Sequence, residues 1–363
     1  MCSFFRALAG SSDIALLNRT FLKCLAFLLI ALAPGMPVAK MFAQSTDASQ
    51  FCARATAQPL TPPTFAHNAA ETELQKCDAA ALYYGFDRPP QPEAALQCGY
   101  YRRAHPDPQS GDPFAGPGVL AMLYANGMGV ARNYDLALRF VCENTWAAPA
   151  ETEGRIEHLG HLRDTHATTS KFDLCDDTTS GAMQGWCASI DEKFADAKRG
   201  KELDLIKGQW PTPLQEAFQS VQKAESAFEE ARSANEIDLS GSGGSAFTIV
   251  ERNRLRDQFL INLQRFAKND VPHATAATAQ DVDRNLNLVY QQIQHSPAGA
   301  WQDSTIKPSG IRDTQRAWLK LRDAWLQFAR LAYPGMDANT LTTQLTRLRL
   351  HQLRSLARSI APG

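Results

Sequence analysis

From residue 70 onward, apolar positions recur at three- and four-residue steps, the spacing that lays a stripe along one face of an α-helix. The clearest stripe is Trp318, Leu321, Trp325, Phe328 and Ala332, whose default role is core packing. Pro- and Gly-containing breaks divide the periodic runs at Arg88-Pro89-Pro90, His105 to Gly118, Gly208 to Pro213, Ser240 to Ser245 and Tyr333-Pro334-Gly335. Neither alternating strands nor the Val/Ile-rich runs of a buried parallel sheet are present. The pattern predicts an all-α protein.

The first 43 residues stand outside this pattern. Arg19 and Lys23 precede an apolar run from Cys24 to Ala33, stopped by Pro34. A run of about ten residues is half the length a bilayer core requires, but it suits a secretory signal. Cleavage is expected after Ala43, with Ala39 as the alternative, leaving a periplasmic or secreted protein without a stable membrane anchor. Cys52 follows Ser49-Gln50-Phe51, which is not a lipoprotein box. Residues 44–69, with Pro59, Pro62 and Pro63 among polar residues, read as a flexible arm.

With Cys2 and Cys24 lost, six cysteines remain: Cys52, Cys77, Cys98, Cys142, Cys175 and Cys187. An even number in an exported chain points to disulfides, and six thiols allow fifteen connectivities. There is no Cys-x-x-Cys and no spaced His pair beside one, so a zinc site is not expected. The chain has 363 residues, 44% of them hydrophobic, and a formal charge of −1. That describes a folded protein of two or three modules, neither disordered nor generally nucleic-acid-binding.

Within residues 70–165, Leu120-Ala121-x-x-Tyr124-x-x-Gly127-x-Gly129-Val130-x-x-x-Tyr134-x-x-Ala137 resembles the Sel1-like repeat, a helical hairpin. Gly127 and Gly129 can take the positive φ that ends one helix and turns into the next. Ala121 and Ala137 allow close packing, and Tyr124 fills the interior. Asn133 and Ala121 depart from the usual Asp and Gly. A half-match, Ala94-Ala95-x-x-Cys98-x-x-Tyr101-x-x-Ala104, precedes it. A helix from Glu73 to Tyr84 would pair with it and place Cys77 opposite Cys98, the first disulfide expected. Cys175 and Cys187 would close a small loop over a helix start capped by Asp177, Thr178, Thr179 or Ser180.

At the C-terminus, Asp283-x-x-Leu286-Asn287-x-x-Tyr290 precedes Gln315-Arg316-Ala317-Trp318-x-x-x-Arg322-Asp323-Ala324 and Leu345-Thr346-x-x-Arg349-x-x-Gln352-Leu353. Together these resemble the family named after the lysozyme inhibitor LprI, over residues 272–360. Gln222-Lys223-Ala224 and Arg252-x-Arg254-Leu255 echo it, so residues 171–265 read as a weaker copy of the same helical unit. The family usually has a Cys after the Arg-Asp-Ala segment, where this chain has Trp325 and Leu326. The resemblance implies an inhibitor of a peptidoglycan-cleaving lysozyme. The alternative is a periplasmic adaptor that grips envelope proteins through the Sel1-like hairpins.

Asp283, Asn287 and Tyr290 share one helical face, and the expected role is a polar packing cluster rather than a general base. Arg322 and Asp323 lie one step off the Trp318 stripe, where they can bridge helices. Gly-x-Ser-x-Gly, His-Glu-x-x-His and phosphate-loop motifs are missing. Gly241-Ser242-Gly243-Gly244 therefore reads as a flexible loop, and no enzymatic activity or cofactor is expected. His158, His161 and His166 read as solvated surface histidines. From Ile311 onward nine basic residues face three acidic ones, whereas Leu214 to Ser240 is acidic. Because a basic surface repels a basic lysozyme, the partner contact is expected at Glu225, Glu229, Glu230 and Glu236.

Overall fold

The computed structural model describes residues 39–359, apart from 66–67 and 167–168. The apolar run of the expected signal segment lies outside the described residues. Among those described are thirteen α-helices and no strand. They are α1 (Ala39–Thr56), α2 (Glu71–Leu74), α3 (Ala79–Tyr84), α4 (Pro92–Ala104), α5 (Pro117–Asn126), α6 (Tyr134–Glu143) and α7 (Pro149–Asp164). Then come α8 (Gly181–Lys207), α9 (Thr212–Asn235), α10 (Gly244–Ala267), α11 (Ala276–Gln294), α12 (Pro308–Ala332) and α13 (Ala338–Ser359). None of the described helices is long and apolar enough to cross a membrane.

Helices α3 to α7 stack in sequence order, each packing on the next. Gly127 ends α5 in the left-handed conformation, at φ 64°, and Gly129 repeats it at φ 67°. A Cβ on Gly129 would meet the Pro92 carbonyl carbon at 2.8 Å, so the turn needs glycine for space as well as for its dihedral. Asn133 caps α6 by accepting from Leu136 N–H at 3.0 Å. Ala121 and Ala137 are wholly buried, and the Tyr124 hydroxyl meets that of Tyr100 at 2.8 Å inside the stack.

Three disulfides staple this half: Cys52–Cys142, Cys77–Cys98 and Cys175–Cys187. The second and third are the pairs expected, and Ser180 is the residue that caps α8. The stretch expected as a flexible arm is instead tied down. It is helical to Thr56, Cys52 is bonded to α6, and Arg139 donates to the Gln58 carbonyl at 2.5 Å.

From α8 onward the packing order repeats. α8 packs on α10 and α11 packs on α13, while the middle helices α9 and α12 form the most extensive pair in the chain. The Gly241–Gly244 loop, expected to be flexible, instead abuts the start of α8, where a Cβ on Gly181 would fall 2.2 Å from Ser242. The second core is centred on Trp325, 1% exposed, whose ring lies 5.2 Å from Phe266, 5.4 Å from Phe259 and 6.1 Å from Phe328. Such pairs add about 0.5–1.5 kcal/mol each beyond area burial. The aromatic stripe of α12 thus has the core role its spacing implied. α8, 27 residues long, contributes Met183 and Ile190 to the first core and Leu203 and Ile206 to the edge of the second.

Candidate partner-binding surface

The C-terminal motif residues divide into a half-exposed cluster and a buried network. The cluster forms where α11 meets α12. Four-residue spacing on α11 brings Asn287 over Asp283, and its amide donates to the carboxylate at 3.0 Å. Arg322 leans across from α12. Its Nη1 lies 3.8 Å from Asp283 and its Nη2 3.6 Å from Asp323, with the guanidinium 5.1 Å above the Trp318 ring. Cation–π contact and two carboxylates therefore hold the guanidinium over the tryptophan. Arg322 Nε is buried without a hydrogen-bond partner, whereas Asn287 is exposed. The result is an oriented patch of donors and acceptors on a rigid two-helix floor. Leu286 points into the core, Tyr290 is half-buried at its edge, and Arg316 stays on the surface beside Asp313 at 3.3 Å.

The buried network runs the other way, into α9. Arg349, wholly buried on α13, donates to Gln315 Oε1 at 2.9 Å and to both oxygens of Glu236 at 2.5 and 2.8 Å. Arg232 reaches Glu236 as well, and also Glu251 at 2.5 Å. Gln315 and Arg349 thus lie in the interior, away from the exposed cluster.

This corrects the expected acidic contact face. Glu225, Glu229 and Glu236 are 9%, 8% and 3% exposed, and Glu230 alone of the four is exposed. Four-residue spacing places Glu225 and Glu229 on the packed face of α9, and Glu236 follows just past its end. Glu229 accepts from Arg252 at 3.1 Å and Arg256 at 2.7 Å, and Arg256 in turn holds Asp196 at 2.7 Å. Glu225 has no ion pair among the described residues, and burial, with the Glu229 charge nearby, pushes its carboxyl up to about 8. Sequence reasoning missed Asp196, Arg199 and Arg256, whose only trace was the i, i+3 pairing of Asp196 with Arg199.

His158 is half-buried, with Nδ1 3.0 Å from Asp177 and its ring edge-on to Phe172, while His161 and His166 are exposed. No group of three or more His, Cys, Asp or Glu side chains among the described residues could hold a metal ion.

Comparison with known families matches residues 267–353 to the family described as lysozyme inhibitor LprI. The match contains the whole Asp283–Arg322 cluster and both Gln315 and Arg349. No curated protein and no solved structure matches the chain.

Proposed function

We propose that this is an exported binding protein whose C-terminal domain inhibits a lysozyme-type enzyme through the surface around Asp283, Asn287 and Arg322. The reading is carried by one observation: the family match falls on a stretch in which Asp283, Asn287 and Arg322 converge in a solvent-reaching cluster. Three disulfides support an oxidising compartment. The domain supplies a fixed recognition surface and needs no cofactor.

Charge narrows the target. Arg347, Arg354 and Arg358 line the exposed side of α13, where no ion pair holds them among the described residues, and Lys320 adds to them on α12. Such a surface repels a strongly basic lysozyme. In a turbidity assay of peptidoglycan clearing, stoichiometric inhibition is expected for a lysozyme of low positive charge and none for a strongly basic one. Asn287→Arg should weaken that inhibition at least tenfold, about 1.4 kcal/mol of binding, without moving the melting temperature. Clearing that is unaffected in every lysozyme tested would reject the inhibitor reading.

A second reading, an adaptor working through the α4–α6 hairpins, is supported by their disulfide-braced stack. Pull-down from periplasmic extract separates the two, because an adaptor retains envelope proteins when no lysozyme is present.

A further inference from the structure

A large cavity lies far along the chain from the family-matched stretch. It is a cleft of about 840 Å³ walled by the start of α3, the end of α4, the loop from Pro106 to Pro117, the end of α6 and one face of α8. Two tryptophans line it from different elements: Trp146, 48% exposed after α6, and Trp186, 36% exposed on α8. Tryptophan is a costly residue to leave in water, since its ring presents one of the largest apolar surfaces of any side chain. Two of them lining one cleft make a pair of aromatic surfaces for a ligand with apolar faces.

The rest of the lining is polar and fixed. Asp78 accepts from Ala81 N–H, Asp107 from Gln109 N–H and Asp112 from Phe114 N–H, each at 2.9 Å. A carboxylate has about four acceptor positions, so each keeps lone pairs free while its orientation is set. Arg102 is anchored through one nitrogen to the carbonyls of Gln75 and Cys77 at 3.1 and 2.9 Å, leaving other N–H groups to donate. Lys193 sits 4.9 Å over the Phe86 ring. Arg103 and Glu143 neutralise each other across the cleft wall at 2.5 Å. The remaining charges, three carboxylates against Arg102 and Lys193, nearly cancel.

This combination selects a ligand class. A phosphate or other small anion needs converging positive charge, which the aspartates offset. A peptide bound by strand addition needs a sheet edge, and every described wall is helix or loop; a proline-rich peptide, which has no N–H at its prolines, would leave the fixed aspartates without donors. A helical peptide needs a continuous apolar row, and the apolar part of this lining is interrupted by charged groups. Neutral sugar rings fit: their C–H faces stack on indole, and their hydroxyls both donate and accept.

We propose that the cleft between Trp146 and Trp186 binds a neutral oligosaccharide, with the rings stacked on the two indoles and the hydroxyls held by Asp78, Asp112 and Arg102.

The test is calorimetric titration of the oxidised full-length mature protein with an N-acetylglucosamine tetramer and, separately, with a glucose tetramer. Tryptophan fluorescence is followed in parallel. Saturable binding of either sugar with a change in indole emission is expected. Binding of the first alone adds an acetamide contact, and binding of both shows that ring stacking suffices. Trp146→Ala and Trp186→Ala should each weaken binding roughly tenfold, with circular dichroism unchanged because neither ring belongs to the buried core. Trp146→Phe should retain part of it. No binding of either sugar, or binding that neither alanine variant alters, overturns the proposal.

Discussion

Replacing Glu236 with leucine is expected to destabilise the protein by about 3–5 kcal/mol, the cost of removing one partner from a buried ion pair. The readout is the urea midpoint at constant m-value. Glu236 and Arg349 are both wholly buried. Without the carboxylate, the Arg349 guanidinium keeps only two neutral oxygens, Gln315 Oε1 at 2.9 Å and Gln352 Oε1 at 3.2 Å. Neither supplies counter-charge, and water cannot reach the site. Arg349→Met should cost less, because Glu236 keeps Arg232, which also holds Glu251. The double variant should recover much of the loss, since two uncharged side chains leave no orphan charge. An unchanged midpoint in the Glu236 variant would show that the pair does not hold the fold.

The same pair explains why the family-matched stretch does not stand alone. Glu236 lies at the end of α9, outside residues 267–353, and Arg349 lies inside them. α9 also supplies Phe218, whose ring sits 5.0 Å from Phe328 on α12. The structural unit is therefore larger than the recognisable motif. Sequence recorded this only as two separate charge imbalances, an acidic excess in 214–240 and a basic excess after 311. Read separately, they suggested two solvent faces. In the fold, Glu236 meets Arg349 and the two excesses partly cancel inside the protein. A buried glutamate and an exposed one look alike when the residues that neutralise it are distant in sequence.

Local patterns were more legible. The stripe of α12 follows from apolar spacing alone, because periodicity reports burial directly. Gly127 and Gly129 sit where a positive φ is required, and the Cys77–Cys98 and Cys175–Cys187 pairs join partners only 21 and 12 residues apart, although Cys77 lies in the break between α2 and α3 and not on the single helix expected from Glu73 to Tyr84. Cys52–Cys142 did not follow, because a separation of 90 residues leaves no spacing signature and the polar composition around Cys52 resembles a loose arm. At the candidate surface, Asp283 and Asn287 could be placed on one face. The seat of Arg322 over Trp318 could not be placed until α11 and α12 were seen to approach.

Glu225 gives the second large effect, a pH dependence that glutamine should remove. Its carboxyl is raised from 4.5 to about 8, first by burial and then by the neighbouring Glu229. Between those two values the folded protein holds a proton that the unfolded chain has released. The native state then binds more protons, so stability falls as pH rises, by up to about 1.4 kcal/mol per unit. Below 4.5 both states are protonated and the contribution is fully present; above about 8 it is lost, on the order of 5 kcal/mol in total. Glu225→Gln is neutral at every pH and keeps the shape of the side chain. It should therefore match the parent near pH 4.5 and exceed it increasingly toward pH 8, when urea midpoints are compared across that range. Because the ionised form has no ion pair to leave unpaired, the substitution orphans no partner, unlike Glu236→Leu. Parallel midpoint-against-pH curves for the two proteins would mean that Glu225 is solvated in solution.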